Sequence, residues 1–574
     1  MTDATRASLA VPGRRGPRKA RFNVSAVVLV LAVAVLALVT VVPLVPMTLR
    51  AFTNDGSLTL EHVSAFLADP HLMRSAFNTV GYSLAIGVAS ALLAMPLAFG
   101  IARTDMPLKK LLTVSALISV FSPGFLITIA YIDLLGPNNG SINVLLRGLL
   151  GLETTFGPLD IYSGLGLVLL TLPGGIALCL FQIVPALGKI DPGLEAASRI
   201  AGASAWQTVR RVTLPLVRPA ILSGFVLAFT LSVGSYGIPQ MLGMNVLSVT
   251  IRETLLISFN LALAAVLAAV SIVIGLVAVA GYQYTTRLQS RFEVVAGRGS
   301  AGASYTLGPW RYVLAGAGVV YFVLAILLPY AVLIVSSFLE ATSRGLTADN
   351  LTLEFYTNLV TDPYYRTAIF NSMTLAVGTG ATCAVVGILV GYIIARTAMP
   401  GRSLLDYMAF LPLALSGTAF GIAVLLTAFS SPLRWMGLSG TLFIIGFAYV
   451  GHYIAFGVRG SQVAFSQVSA QLSEAARIAG ANRLQTIGHI EVPIVRNAIL
   501  SIVFLVGALV FPELSMTIIL TGSGTQTVST ALLELWRGGG GSIQAAYAMS
   551  SLMLVIVLAL MVIGNLIRSA RTVR

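Results

Sequence analysis

One block of sequence occurs twice in the chain, between long apolar stretches, and decides how the rest is organised. Residues 194–221 read LEAASRIAGASAWQTVRRVTLPLVRPAI, and residues 472–499 read LSEAARIAGANRLQTIGHIEVPIVRNAI. Aligned without gaps at an offset of 278, 14 of the 28 positions are identical. Connecting loops usually diverge fastest, so a loop that both copies retained is expected to bind something. The block indicates an internal duplication around a functional segment.

The local pattern of the block predicts two short helices joined by a glycine turn. Asp191-Pro192 is a helix-start signal, and Gly202 permits the tight turn that ends this first helix. A second short helix is predicted over 205–212, and Pro215 is expected to break the chain before the next apolar stretch. The plainer alternative is an amphipathic helix lying on a membrane surface. The small alanine face and the repeated glycine favour an element that inserts into a groove on a partner.

A second series of repeats lies outside this block, at an offset of 293. It pairs Leu58-Thr59-Leu60-Glu61 with Leu351-Thr352-Leu353-Glu354, Asp69-Pro70 with Asp362-Pro363, Phe77-Asn78 with Phe370-Asn371, Ala102-Arg103-Thr104 with Ala395-Arg396-Thr397, and Met106-Pro107 with Met399-Pro400. The offset changes by 15 residues between the two series, and we assign the extra residues to the segment 133–162. The chain is therefore predicted to consist of two homologous halves.

The composition identifies the environment of these halves. Of the 574 residues, 57% are hydrophobic and 10% are charged, with a mean hydropathy of +0.91. Average soluble domains carry about a quarter charged residues, so a soluble or a disordered chain is excluded. The two cysteines, Cys179 and Cys383, lie in separate apolar runs, which excludes a disulfide scaffold or a cysteine metal site. The sequence describes an integral membrane protein.

Twelve stretches are long and apolar enough to cross a bilayer, which takes about 20 residues. They are 27–49, 76–101, 111–132, 163–187, 219–243, 257–283, 312–338, 369–395, 407–430, 435–458, 497–521 and 543–567. The first is too long for a signal-peptide core and lacks a clear cleavage site, so we interpret it as a span. The fold class is therefore an all-α polytopic membrane protein of about 12 helices in two six-helix repeats. Six is even, so the repeats are parallel, and a translocation path between them is expected.

The same pattern divides the chain into regions. The predicted divisions are a basic N-terminus at 1–26, a first half at 27–285 with a core at about 72–285 and a loop at 191–218, a linker at 286–311, a second half at 312–567 with a core at about 365–567 and a loop at 470–496, and a tail at 568–574.

The net charge of +14 could suggest nucleic-acid binding, but its distribution does not. With a cytoplasmic N-terminus, the predicted inner segments hold 27 Lys and Arg residues and the outer segments hold 8. This asymmetry is the topology signal of bacterial membrane proteins and predicts that both termini are cytoplasmic in a cell membrane. No clustered basic face with stacking aromatics is present, so a nucleic-acid partner is not expected.

The second copy of the block, with Glu474-Ala475-Ala476, Gly480 and Pro493, resembles the EAA loop of binding-protein-dependent ABC importer permeases. The first copy resembles it with one departure, because Ala196 aligns with Glu474 and Glu195 lies one residue early. One residue turns a side chain by about 100° on a helix, so Glu195 is not expected to make the contact of Glu474. The resemblance covers both predicted cores.

The resemblance implies a permease subunit whose two loops dock on separate cytoplasmic ATPase subunits, normally a homodimer, which bind the ATP and Mg. It also implies an extracytoplasmic substrate-binding protein. The residues implied in docking are Glu195, Ala196, Ala197, Arg199, Gly202 and Pro215 in the first loop, and Glu474, Ala475, Ala476, Arg477, Gly480 and Pro493 in the second. The double length, and Tyr236-Gly237-Ile238-Pro239 with Glu513-Leu514-Ser515, resemble the fused permeases of ferric-iron importers. Thiamine, 2-aminoethylphosphonate and spermidine or putrescine are the alternative cargoes.

No catalytic residues, cofactor or metal site are expected in this chain. The only Gly-Lys pair, Gly188-Lys189, is followed by Ile190, so the phosphate-binding loop motif is absent. The four histidines are scattered over different segments, which disfavours a metal cluster. A proton-coupled secondary transporter is the alternative of another class, but acidic residues within the spans are few and the duplicated loop has no role there.

Charged residues within spans mark transport pathways by default. Glu513 is the clearest, and at the offset of 278 it aligns with Ser235. Both stretches carry Gly or Pro breaks that let backbone carbonyls face a cavity. Ser235, Tyr236, Glu513 and Ser515 are therefore predicted to line the path or its outer gate. The alternative is a helix-end Glu513 in contact with water.

Overall fold

The structure is a computed structural model that describes residues 24–54, 56–292, 305–397, 399–430, 433–539 and 541–569. Most of the predicted N-terminal region, the middle of the predicted linker and most of the predicted tail lie outside these residues. The described residues are mainly helical, and their only β-sheet is one hairpin of β1 (Thr53–Asn54) and β2 (Ser57–Leu58).

The helices of the first half are α1 (Val24–Leu36), α2 (Leu44–Phe52), α3 (Glu61–Ala68), α4 (Pro70–Arg103), α5 (Lys109–Phe121), α6 (Gly124–Leu135), α7 (Ser141–Leu150), α8 (Gly164–Gly188), α9 (Pro192–Ile200), α10 (Ala205–Thr208), α11 (Leu214–Val233), α12 (Gly237–Met241), α13 (Leu247–Leu256) and α14 (Leu261–Phe292). Those of the second half are α15 (Trp310–Phe322), α16 (Leu328–Ser337), α17 (Glu354–Thr361), α18 (Pro363–Arg396), α19 (Arg402–Phe410), α20 (Gly417–Phe429), α21 (Leu442–Ser466), α22 (Ala470–Ile478), α23 (Arg483–Thr486), α24 (Val492–Val510), α25 (Thr517–Leu520), α26 (Val528–Trp536) and α27 (Ile543–Ser569). Single π-helical turns lie at Ala37–Val41, Val209–Thr213, Val323–Leu327 and Ile487–Glu491. Short 3₁₀ turns lie at Thr342–Arg344, Ala348–Asn350, Leu411–Ala414 and Leu433–Met436.

The predicted all-α membrane architecture is confirmed. Among the described residues, nine helices are long and apolar enough to cross a bilayer, and two bent pairs bring the number to 11. The shorter apolar helix α20 occupies the place of the remaining predicted span, 407–430. Each predicted span therefore has a helical counterpart.

Several predicted spans have different boundaries in the structure. The span predicted at 435–458 is helix α21, which begins only at Leu442 because Gly437 and Gly440 adopt positive φ before it and Thr441 caps it. The spans predicted at 219–243 and 497–521 stop short, at Val233 and Val510. A short helix, α12 or α25, then continues each chain after a break of a few residues.

The repeated residues at the offset of 293 have matching structural roles. The carboxylates of Asp69 and Asp362 accept backbone amides at the starts of α4 and α18, at 2.8 Å in each helix. Asn78 donates to the Asn245 carbonyl at 2.8 Å, and Asn371 donates to the Gln526 carbonyl at 2.9 Å. Each Asn thus ties its long helix to the segment that follows a broken helix.

The bent pair α5–α6 crosses the membrane as one broken span. Arg103, at the end of α4, pairs with Glu195 and lies 3.5 Å from the Ile190 carbonyl, both just beyond the end of α8. Helices α4 and α8 therefore end at the same face, and the chain between them must return to the opposite face. Ser122 and Pro123 separate α5 from α6, which meet at a bend of 103°.

Close helix packing in the second half depends on glycine. A Cβ at Gly387 of α18 would lie 2.4 Å from the Gly457 carbonyl oxygen of α21, and one at Gly391 would lie 2.8 Å from the Gln462 amide. Without side chains at these positions the two backbones approach closely, the usual basis of helix association in membranes.

Candidate coupling loops and translocation path

The two copies of the duplicated block fold in the same way. Loop 1 (residues 191–218) contains α9 and α10, and loop 2 (residues 470–496) contains α22 and α23. Between the two short helices, Gly202 and Gly480 adopt φ of +85° and +90°, with open space around a hypothetical Cβ. The glycines are thus required by backbone conformation, which costs other residues about 1–2 kcal/mol. The predicted helix, glycine turn and second helix are all present.

The prolines after the second helix do not break the chain as expected. Pro215 and Pro493 lie in the first turn of α11 and α24, directly after a π-helical turn. Residues Ala205–Val233 therefore form one continuous helical span. Proline is tolerated there because the wider π turn changes the hydrogen-bond register just where its missing N–H would be needed.

Equivalent positions on the two loops face the same way. Ala196 and Glu474 are both exposed, as are Ala197 with Ala475 and Arg199 with Arg477. Ile200 and Ile478 are 88% and 89% exposed, although both are large apolar residues. The first loop also exposes 71% of Trp206. Each loop therefore presents a small apolar surface that none of the described residues covers, a feature typical of protein interaction sites.

Glu195 faces the opposite way, into the protein. Its carboxylate pairs with Arg103 at 2.5 Å and accepts a hydrogen bond from the Thr213 hydroxyl at 2.9 Å. The Arg103 and Glu195 side chains are each 1% exposed. We name Arg103, Glu195 and Thr213 triad 1. It joins α4, loop 1 and the start of the span that follows loop 1.

The second half contains an equivalent triad, but its carboxylate comes from a different one of the three positions. Arg396 is equivalent to Arg103, Ser473 to Glu195, and Glu491 to Thr213. The Ser473 hydroxyl donates to the Glu491 carboxylate, and Arg396 lies 3.8 Å from the same carboxylate. These three residues form triad 2. The arginine and carboxylate side chains are 15% and 3% exposed, so triad 2 is looser than triad 1.

Loop 1 also contacts the end of the linker. The Arg199 guanidinium lies 4.5 Å from the ring centroid of Tyr305, whose amide donates to the Arg103 carbonyl at 2.8 Å. The Leu307 amide donates to Asp105 and, supported by Arg311, lowers the pKa of that carboxyl below its usual value. Tyr305, in the described end of the linker, thus packs against loop 1 and the end of α4.

The four residues predicted to line the path all border one cavity of about 240 Å³. Three helix breaks meet there, and they contribute Ser122, Pro123 and Gly124, then Ser235, Tyr236 and Gly237, then Pro512, Glu513, Leu514 and Ser515. Tyr453 of α21 also lines the cavity. The breaks at Ser235 and Glu513 come from opposite halves, so the cavity lies between the repeats.

The Glu513 carboxylate is held by its own chain. It accepts the Met516 amide at 3.1 Å, the Thr517 amide at 3.2 Å and the Thr517 hydroxyl at 2.9 Å. The residue is 8% exposed. Its carboxylate therefore satisfies the free amides at the start of α25 while it forms part of the cavity wall. It does not stand in open water at a helix end.

Tyr236 lines this cavity and interacts with Arg537, which lines a second cavity of about 720 Å³ at the face opposite the loops. Its hydroxyl donates to Gln240 at 2.8 Å, and its side chain is 1% exposed. The second cavity combines Arg252 of the first half with Glu534 and Arg537 of the second. Arg252 and Arg537, which follow α11 and α24 in their halves, meet at one face and both loops lie at the other, so the repeats are parallel as predicted.

Sequence reasoning missed several residues that the structure brings into these sites. Arg103 and Arg396 were visible only as a repeated pair, and Ile200 and Ile478 only as identical positions of the block. Ser122 and Tyr453 carried no signal, because one backbone break and one tyrosine in an apolar span are common. Glu491 belongs to the second copy of the block, but its role was not predicted because Thr213 occupies the equivalent position of the first copy.

This combination of two parallel helical repeats, paired surface loops and a cavity between broken helices defines a transporter permease. A family profile described as "Binding-protein-dependent transport system inner membrane component" matches residues 90–291. The molybdenum transport system permease protein ModB of Haemophilus influenzae is 33% identical over 164 residues, which cover 28% of this chain and 69% of that protein. The chain belongs to this family of ABC importer permeases.

Two further relatives match most of the chain. The ferric transport system permease protein FbpB of Actinobacillus pleuropneumoniae is 23% identical over 535 residues, covering 91% of this chain and 75% of that protein. A putative ferric transport system permease protein FbpB 1 of Haemophilus influenzae is 22% identical and covers 80% of this chain and 72% of its own length. A crystal structure of a bacterial alginate ABC transporter is 20% identical, with a TM-score of 0.37, over 45% of this chain and 95% of its own.

Proposed function

We propose that this chain forms the translocation path of an ABC importer for ferric iron and couples that path to two separate ATPase subunits. The observation that carries the proposal is the pair of loops on one face, each exposing an isoleucine at the same position. Burial of such a side chain contributes about 1.5–3 kcal/mol, so each loop offers a compact docking element. The ATPase subunits would bind the ATP and Mg.

The assignment of the path rests on the cavity between the halves. A permease must open alternately to the two sides, and broken helices at a repeat interface supply the hinges and the polar backbone for such a path. Tyr236 would close the route between the central cavity and the second one. A substrate-binding protein would dock on that opposite face, and the basic asymmetry of the loops makes it the extracytoplasmic face.

Iron is proposed as cargo because the relatives that cover most of the chain are named as ferric permeases. Among the described residues, no group of three His, Cys, Asp or Glu side chains could hold a metal ion. Iron would therefore pass through without a dedicated protein site, and its selection would belong to the binding protein. Aminoethylphosphonate, polyamines and thiamine are the competing cargoes.

A proton-coupled transporter needs an acid that binds and releases protons within the path. The Glu513 carboxylate already accepts three hydrogen bonds that hold α25 in place. Its geometry supports a structural role, which favours the importer over the proton-coupled alternative.

The proposal is tested by purifying the chain with its co-expressed ATPase and measuring uptake of ⁵⁵Fe(III) delivered by the binding protein. We expect the ATPase to co-purify and uptake to require ATP. Gly480→Pro should abolish both, because proline cannot adopt the φ of +90° found there. Absence of the ATPase from the purified chain, or unchanged uptake by Gly480→Pro, would contradict the docking role.

A further inference from the structure

The two triads connect the same three segments in each half. An arginine comes from the end of a long helix, α4 or α18, and a second residue comes from the first helix of the loop. The third residue comes from the π turn that leads into α11 or α24. Each triad is thus the point where a loop meets both the long helix α4 or α18 and the span that follows the loop.

The two copies keep the chemistry of the triad while they differ in its residues. The carboxylate lies on the loop helix in triad 1, as Glu195, and on the π turn in triad 2, as Glu491. The hydroxyl takes the other position, as Thr213 in triad 1 and Ser473 in triad 2. Either position therefore supplies the acid that faces the arginine.

Stability alone does not account for this arrangement. Replacing a buried ion pair with well-packed apolar residues is often neutral or stabilising, because desolvation offsets the Coulombic attraction. What an ion pair adds is a directional contact that holds only one geometry. At this junction, that geometry fixes the loop to both spans.

We propose that each triad is the mechanical link of its loop, which makes the loop, the long helix and the following span move as one unit. The proposal rests on the proposed function, in which the loops receive the movement of the ATPases. Arg103, Glu195, Arg396 and Glu491 are positioning residues in this account. The acid is required at either of its two positions in each half.

The test uses the complete importer in nanodiscs and compares ATP hydrolysis with and without the binding protein. Glu195→Gln keeps the size of the side chain and can still accept from Thr213, but it leaves Arg103 without its counter-charge. We expect the ATPase to remain bound, while stimulation by the binding protein falls by about fivefold or more, since coupling free energies are typically 1–3 kcal/mol. Glu340→Gln removes an exposed ion pair with Arg344 and serves as the control.

The deciding variant moves the acid. Glu195→Ser combined with Thr213→Glu copies triad 2 into the first half, and it should restore both thermal stability and stimulation relative to Glu195→Ser alone. Unchanged stimulation in Glu195→Gln, or a double variant no better than Glu195→Ser, would overturn the proposal. If Glu195→Gln does not fold, the double variant alone decides. Wild-type protein that never retains an ATPase would instead overturn the proposed function, and this proposal with it.

Discussion

The two loops share one backbone fold but hold their charges differently. Loop 1 has its acid, Glu195, buried against Arg103 and presents only Ala196 at the outward position. Loop 2 presents Glu474 outward and takes its buried acid, Glu491, from the following turn. A single EAA-like block therefore contains two separate acidic positions, one for attachment to the spans and one for contact with a partner.

Some features of the two loops are the same in both halves, and others differ. The glycine turn, the exposed isoleucine and the arginine of the triad occur in both halves. The position of the acid differs, and among the described residues Tyr305 of the linker contacts Arg199 of loop 1. We therefore expect changes at the shared features to act equally on the two halves, and changes at the others to act unequally.

The largest expected effect is the loss of stability when the buried acid of triad 1 is removed. Glu195→Ala leaves Arg103 buried without a counter-charge, which typically costs about 3–5 kcal/mol. Glu491→Ala should cost less, because Arg396 is 15% exposed and lies 3.8 Å from its partner. Thermal unfolding of the two purified variants measures the difference. Equal losses of stability would contradict the described difference between the triads.

The second-largest expected effect is a loss of ATPase binding when either exposed isoleucine is replaced. Ile200→Ser and Ile478→Ser should each weaken ATPase binding by about tenfold or more, because each removes about 1.5–3 kcal/mol of apolar burial. The two variants should be alike, since the residues are 88% and 89% exposed at equivalent positions. Titration of the ATPase onto each variant provides the measurement. The protein itself should remain stable, and a stability loss in either would indicate a core role.

A smaller and unequal effect is expected at the outward acid. Glu474→Gln should reduce binding-protein-stimulated hydrolysis by a few fold, because Gln can still form a hydrogen bond and only the charge is lost, and an exposed ion pair contributes about 0.2–1 kcal/mol. Ala197→Gln, at an exposed position of loop 1 that carries no charge, is the matched control. Ala196→Glu should give loop 1 the same acidic contact and raise its affinity for the ATPase. If Glu474→Gln behaves as wild type, the two loops do not differ in docking through an outward acid, which contradicts the prediction.

The smallest effect is expected at the linker. Tyr305→Ala removes the contact with Arg199, and exposed cation–π pairs contribute about 0.5–1 kcal/mol. Amide hydrogen exchange in 192–200 should therefore become a few fold faster, while exchange in 470–478 stays the same. Faster exchange in both segments would indicate a global loss of stability rather than a local contact.

The sequence alone predicted the helical architecture, the repeat and the loop fold because these depend on local patterns of hydropathy and of Gly and Pro. It also placed the shift between Glu195 and Glu474 correctly as a difference of face, since helical geometry alone requires it. The triads were not predicted, because their members lie in three segments and the acid has changed position. The Gly and Pro breaks near Ser235 and Glu513 were predicted, but the predicted spans ran through them, since apolar residues continue past Val233 and Val510.

Docking of both loops on an ATPase is the central claim, and site-specific cross-linking tests it most directly. Ala196→Cys and Glu474→Cys place thiols at the two exposed equivalent positions, while the native Cys179 and Cys383 are buried. Val360→Cys, 68% exposed near the opposite face, is the control. We predict that both loop thiols cross-link to the ATPase chain and that the control does not. Cross-linking from neither loop, in a complex that still contains the ATPase, would contradict the account.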